Sequence, residues 1–130
     1  MQPPYQPSAN KPPAGGDQAL ADSENPTTLP PQTQKTIGDL LSAKGISWAW
    51  YSGAWQAVLS GHNARPIPNF QYHHQPFNYF ASMAPGTLQR AKHLKDGGLA
   101  GSELIKAIDA GALEQAAEKT RISDRICASR

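Results

Sequence analysis

Eight of the twelve prolines in this 130-residue chain fall within the first 31 residues, and that placement limits what the chain can fold into. Proline fixes φ and donates no backbone hydrogen bond. Residues 1–34, with Pro3-Pro4, Pro12-Pro13, Gly15-Gly16 and Pro30-Pro31 and almost no large aliphatic side chain before Leu20, therefore read as irregular or polyproline-like. Composition leaves two options for such a segment: a mobile tail or linker, or a long loop laid over a larger body. Taken alone, it is expected to be mobile, to be cut near Lys35 and to leave Tyr5 exposed. What remains to pack is about one hundred residues, one domain with a small core.

Residues 36–45 carry both ends of a short helix. Thr36 suits the N-cap, Asp39 the first turn and Gly45 the left-handed stop, while Ile37, Leu40 and Leu41 form one apolar stripe expected to be buried. In residues 46–51 large apolar side chains alternate with Ser47, Ala49 and Tyr51, which predicts a strand. Helix, glycine and strand make half of a βαβ unit. Ser52-Gly53 reads as a turn, residues 54–59 as a helix stopping near Gly61, and Ala84-Pro85-Gly86-Thr87 as a turn whose threonine caps residues 88–94. His93, near Lys92 and Lys95, suits that helix's C-terminal dipole. Asp96-Gly97-Gly98 reads as a break, and Ser102 as the cap of a helix over 103–110 that buries Leu104, Ile105 and Ile108 before Gly111. Residues 113–130 are polar, helix-prone and poorly patterned.

One convincing strand and a second around residues 70–72 give an α/β class: short helices around one or two strands of an incomplete parallel sheet. A sheet needs about three strands to stand alone. The isolated chain is thus expected to be marginally folded.

Charge narrows the function classes. A net charge of +2 with interspersed signs gives no footprint for nucleic acid or an anionic membrane. No apolar run is long enough to cross a bilayer. Cys127, the single cysteine, excludes an internal disulfide and a cysteine-rich zinc site. The first residues lack the basic start and apolar core of a signal peptide, so the chain as written is expected in the cytoplasm.

Chemistry concentrates in residues 69–80, where His73 and His74 sit among five aromatic residues and four side-chain amides. Pro76 disfavours helix at Gln75, so the histidines are expected to end a strand or begin a loop. A neutral imidazole there can exchange a proton or hydrogen-bond an anion, and a protonated one can neutralise a phosphate oxygen. Trp48, Trp50 and Trp55 read as core or wall. His62 reads as solvated, and Arg65 as able to reach an anion. Ser42, Ser47, Ser52, Ser60, Ser82 and Ser102 supply hydroxyls that each have an easier reading as cap, turn or strand residues.

Several separate stretches, in order, carry a resemblance. These are Leu29-Pro30-Pro31-Gln32-Thr33, residues 36–45, Trp48-Ala49-Trp50-Tyr51 and His73-His74-Gln75-Pro76-Phe77-Asn78-Tyr79-Phe80, followed by Ala84-Pro85-Gly86-Thr87, His93-Leu94 and Ala107-Ile108-Asp109-Ala110-Gly111. Over residues 1–112 the chain resembles an internal portion of the bacterial phosphoesterase family of acid phosphatases and phosphatidylcholine-type phospholipases C. The resemblance implies a partial alkaline-phosphatase-like domain, a phosphate-ester or phospholipid-headgroup substrate, a secreted or periplasmic parent and a divalent metal in the full-length enzyme. It places His73 and His74 at or near the phosphate and implies no catalytic residue or metal ligand elsewhere in this chain.

The resemblance divides the chain into an irregular segment (1–34), a partial phosphoesterase region (35–112) and a divergent tail (113–130). The family's nucleophile and metal-holding residues belong to segments outside the match. Ester cleavage by this route needs an activated nucleophile, charge stabilisation and leaving-group help. Two histidines supply part of that, so the chain alone is expected to be inactive. The alternative is a non-catalytic binding module that docks through the tryptophans and the His73-His74 loop.

Overall fold

Thr36 and Asp39 cap the first helix reciprocally. In the computed structural model, which describes residues 1–61, 67 and 70–111, helix α1 spans Ile37–Ala43. The Thr36 hydroxyl accepts from the Asp39 N–H at 3.2 Å, and the Asp39 carboxylate accepts from the Thr36 N–H at 2.7 Å. Gly45, at φ +69°, ends the turn as expected. The apolar stripe does not face the protein, however. Ile37 and Leu40 are 65% and 52% exposed, whereas Gly38 is buried. The cause is the Trp48 indole, which lies so close to Gly38 that a methyl group there would overlap it.

Replacing Thr36 by alanine is expected to cost about 1 kcal/mol, read as a lower urea midpoint. Hydrogen bonds from the Thr36 backbone and side chain hold the Asp39 carboxyl below its ordinary range. A carboxyl depressed in the folded state stabilises above its unfolded pKa, and that contribution is lost as pH falls through the folded value. Helicity of α1 is therefore expected to weaken on acidification, and Asp39→Asn to flatten that limb in a circular-dichroism titration.

The first strand is displaced from its expected place. β1 is Trp50–Gly53, so residues 46–49 lie outside it and the supposed turn Ser52-Gly53 lies inside. Its partner explains the shift. β2 is Leu94–Gly98, formed where a break was expected, and it pairs in parallel with Trp50 opposite Leu94, Tyr51 opposite Lys95 and Ser52 opposite Asp96. A β-carbon on Gly97 would lie 3.2 Å from the backbone of Ser52 and Gly53, so that glycine serves close strand approach. The register slips after Ser52, and the Ala54 N–H donates to the Gly98 carbonyl at 3.0 Å.

Between the strands run helix α2 (Trp55–Leu59), three 3-10 turns (Tyr72–His74, Pro76–Tyr79, Ala81–Met83) and helix α3 (Leu88–His93). The Thr87 hydroxyl caps α3 by accepting from the Arg90 N–H. Residues 70–72 form no strand; Tyr72 already belongs to a 3-10 turn. Helix α4 (Ser102–Asp109) follows β2, with Gly101 rather than Ser102 at its cap. Its apolar face is not buried, since Ile105 and Ile108 are 54% and 50% exposed. The architecture is α/β, short helices around a two-stranded parallel sheet. Among the described residues no helix is long and apolar enough to cross a membrane. The tail over 113–130 with Cys127, together with His62 and Arg65, lies outside the described residues.

The proline-rich segment is irregular and packed, where a mobile segment with an exposed Tyr5 is expected from the sequence. Isolated bridges join Gln2 to Thr28, Tyr5 to Leu20 and Gln32 to Phe80. Pro3, Pro4, Pro7 and Ser8 are buried, and Tyr5, expected to be exposed, is only 5% accessible. The Pro4 and Pro13 carbonyls accept from N–H groups within the segment, whereas the carbonyls of Tyr5, Gln6 and Pro7 take donors from Asn78 and Arg90. Protease resistance across residues 1–34 is the expected result; rapid cutting near Lys35 would contradict this packing.

Candidate functional site

His73 and His74 occupy the Tyr72–His74 turn, and both are exposed. Their ring centroids are 4.4 Å apart at 74°, edge to face. The turn is fixed on both flanks. Before it, the Tyr72 ring meets Phe70 edge-on at 5.2 Å. After it, Gln75 is buried, and its Oε1 accepts from the Trp50 indole N–H at 3.3 Å and from the Ser52 hydroxyl. Ser52, itself 1% exposed, belongs to β1. The residue following the histidine pair is thus fastened to the sheet, while the two imidazoles face outward. Two ring nitrogens per imidazole, held on a pinned turn, can donate to or accept from an anion brought to this surface.

Behind the turn lies an aromatic cluster. Trp48 stacks on His93 with centroids 3.9 Å apart and 2° between planes, and Phe77 touches both Trp48 and Trp50. His93 Nδ1 lies 2.7 Å from the Trp48 carbonyl, so that nitrogen carries the hydrogen. The residue expected to serve a helix dipole is instead 2% exposed and locked into the core. Trp55 is buried, as a core reading requires, whereas Trp50 remains 38% exposed.

Beneath these rings, Asn78 is fully buried. Its Nδ2 donates to the Tyr5 carbonyl at 2.9 Å and to the Pro7 carbonyl at 3.3 Å, and its Oδ1 accepts from Arg90 Nη1 at 2.8 Å. Arg90 also donates to the carbonyls of Met83 and Gln6, at 2.8 and 2.9 Å, with its guanidinium 5.1 Å from the Trp55 ring centre. Burial draws the Arg90 pKa down and pushes that of the Tyr5 phenol up, the latter opposed by the Arg90 charge.

Sequence reasoning passed over Gln75, Asn78 and Arg90. A partial signal existed for the two amides: a polar side chain among large aromatic neighbours needs a partner wherever it is buried, because an unpaired buried amide is costly. Arg90 had none, because its acceptors, the Asn78 amide oxygen and the carbonyls of Met83 and Gln6, come together only through the fold.

Several serine hydroxyls are committed to structure. Ser42 accepts from the Trp48 indole N–H at 2.9 Å, Ser52 donates to Gln75, and Ser60 donates to the Ala57 carbonyl at 2.8 Å. Among the described residues no three His, Cys, Asp or Glu side chains cluster as a metal site would require.

Compared with known proteins, residues 5–117 match the model of the Phosphoesterase family. No curated protein and no solved structure matches significantly.

Proposed function

The chain belongs to the phosphoesterase family, a family of phosphate-ester hydrolases, and on that premise we propose that it is the part of an acid phosphatase or phospholipase C that presents His73 and His74 to the phosphate. The observation carrying this reading is the outward-facing imidazole pair on a turn fixed by Phe70 on one side and by Gln75 and β1 on the other. Preorganised donors aimed at non-bridging oxygens act mainly where charge develops in the transition state. In this reading the nucleophile and the metal come from other parts of the enzyme, so the chain by itself binds without turning over.

The test is an assay of the purified 130-residue chain with a chromogenic phosphomonoester and a phosphocholine ester, with and without divalent metal, beside an NMR titration with inorganic phosphate. No turnover, with saturable shifts of the His73 and His74 ring resonances, is expected. Silent imidazoles would overturn the phosphate role, and turnover abolished by His73→Ala would overturn the division of labour.

A further inference from the structure

A cavity of about 460 Å³ lies at the carboxyl ends of the two strands, and nothing in the reading above uses it. Gly53 and Gly98, the last residues of β1 and β2, form part of it together with Ala54, Leu99, Ala100 and Gly101, and Ile67 and Phe70 close it. Its size is that of an ordinary small-molecule site, within roughly 300 to 1,000 Å³, at the sheet edge where open α/β folds bind ligands. Ala54 at φ 57° and Ala100 at φ 53° are the non-glycine residues with positive φ among the described residues, and both line it. Residues with a β-carbon hold that conformation only when their surroundings impose it, and such strain collects at ligand sites.

The described lining points to a ligand class. Among the described residues it carries no ionisable side chain, and what it offers is chiefly apolar. Its walls are Phe70, Leu99, Ile67 and two alanines, with backbone at the glycines. The cavity is also joined to the histidine turn twice over. Phe70 stands edge-on to Tyr72, the residue before His73. Gly53 follows Ser52, whose hydroxyl binds Gln75, the residue after His74. We propose that this cavity receives the neutral, apolar alcohol portion of a phosphate ester, an aryl or short alkyl group, while the phosphate stays outside at His73 and His74. The assignment of the phosphate rests on the function proposed above; the apolar site does not.

Gly53 supplies the test. Its φ lies outside the left-handed region, and a β-carbon there would meet no atom within 4 Å, so the position accepts a side chain and Gly53→Leu is the variant chosen to occupy the cavity. Gly98 is unsuitable, since at φ +74° a β-carbon would collide with Ser102 and Glu103. The 130-residue chain is titrated with phenol, phenyl phosphate and inorganic phosphate while the backbone amides of Gly53, Gly98 and Gly101 are followed by NMR. Phenol and phenyl phosphate are expected to shift these amides saturably and inorganic phosphate to leave them still. In Gly53→Leu the shifts are expected to vanish with the rest of the spectrum preserved, and in Phe70→Ala to require at least tenfold more phenol. Glycine amides that ignore phenol in the unaltered chain, or that respond undiminished in both variants, overturn the proposal. Imidazoles that ignore both phosphates, with glycines that still answer phenol, overturn only the phosphate role.

Discussion

Asn78→Leu is expected to lower stability by roughly 3 to 5 kcal/mol and to release residues 1–34 to proteolysis. The side chain has no exposure and bridges three partners: the carbonyls of Tyr5 and Pro7 and the guanidinium of Arg90. Leucine nearly matches the volume, so little is lost in packing. What is lost is satisfaction of buried groups, at about 1 to 3 kcal/mol for each carbonyl left without a donor and more where a charged partner is affected. A small domain has total stability near the lower end of about 5 to 15 kcal/mol, so this substitution removes a large share of it. Urea unfolding measures the loss, and limited proteolysis shows where the structure opens. Asn78→Asp should retain the Arg90 bond and lose the two donated bonds, and should therefore fall between. A leucine variant with an unchanged midpoint and intact resistance would show that the proline-rich segment is held by other contacts.

That network also explains why the packing of residues 1–34 was illegible in the sequence. Proline and glycine content reports which backbone groups a segment cannot pair within itself. It is silent about donors elsewhere, and here the donors are Asn78, Arg90 and the Tyr79 hydroxyl, which reaches the Met1 carbonyl at 3.0 Å. Local signals were legible where the partner is close in sequence, as with Thr36 and Asp39, Thr87 and Arg90, and the left-handed glycines at 45, 61 and 111.

Signals of pairing were misread for a single reason. Alternation in residues 46–51 and the glycine at 97 suggest solvent and turn geometry, whereas the actual constraint at Gly97 is contact between two backbones, which glycine permits and larger residues forbid. Apolar stripes misled in the same way: Ile37, Leu40, Ile105 and Ile108 have the spacing of a buried face but remain exposed. The turn holding His73 and His74 was legible as a break in regular structure, from Pro76, but its attachment to β1 through Gln75 and Ser52 was not.

The histidine pair should show the opposite behaviour from Asn78. In an enzyme of this family that carries the nucleophile as well as this segment, His73→Ala and His74→Ala are each expected to lower kcat/KM by about a hundredfold or more, the usual loss for one preorganised donor. Folding should barely change, because exposed side chains away from caps and cores typically alter stability by less than about 0.5 kcal/mol. Asparagine or glutamine at the same positions keeps an N–H donor and should recover part of the rate, whereas a structural role would respond to size rather than hydrogen bonding. Gln75→Leu provides the positioning control. It leaves the Ser52 hydroxyl and the Trp50 indole N–H without their acceptor and frees the turn, so kcat should fall while both imidazoles remain present. Activity that survives both alanine substitutions would remove the pair from the phosphate site, and activity lost in step with the unfolding midpoint would make it a packing element of the turn.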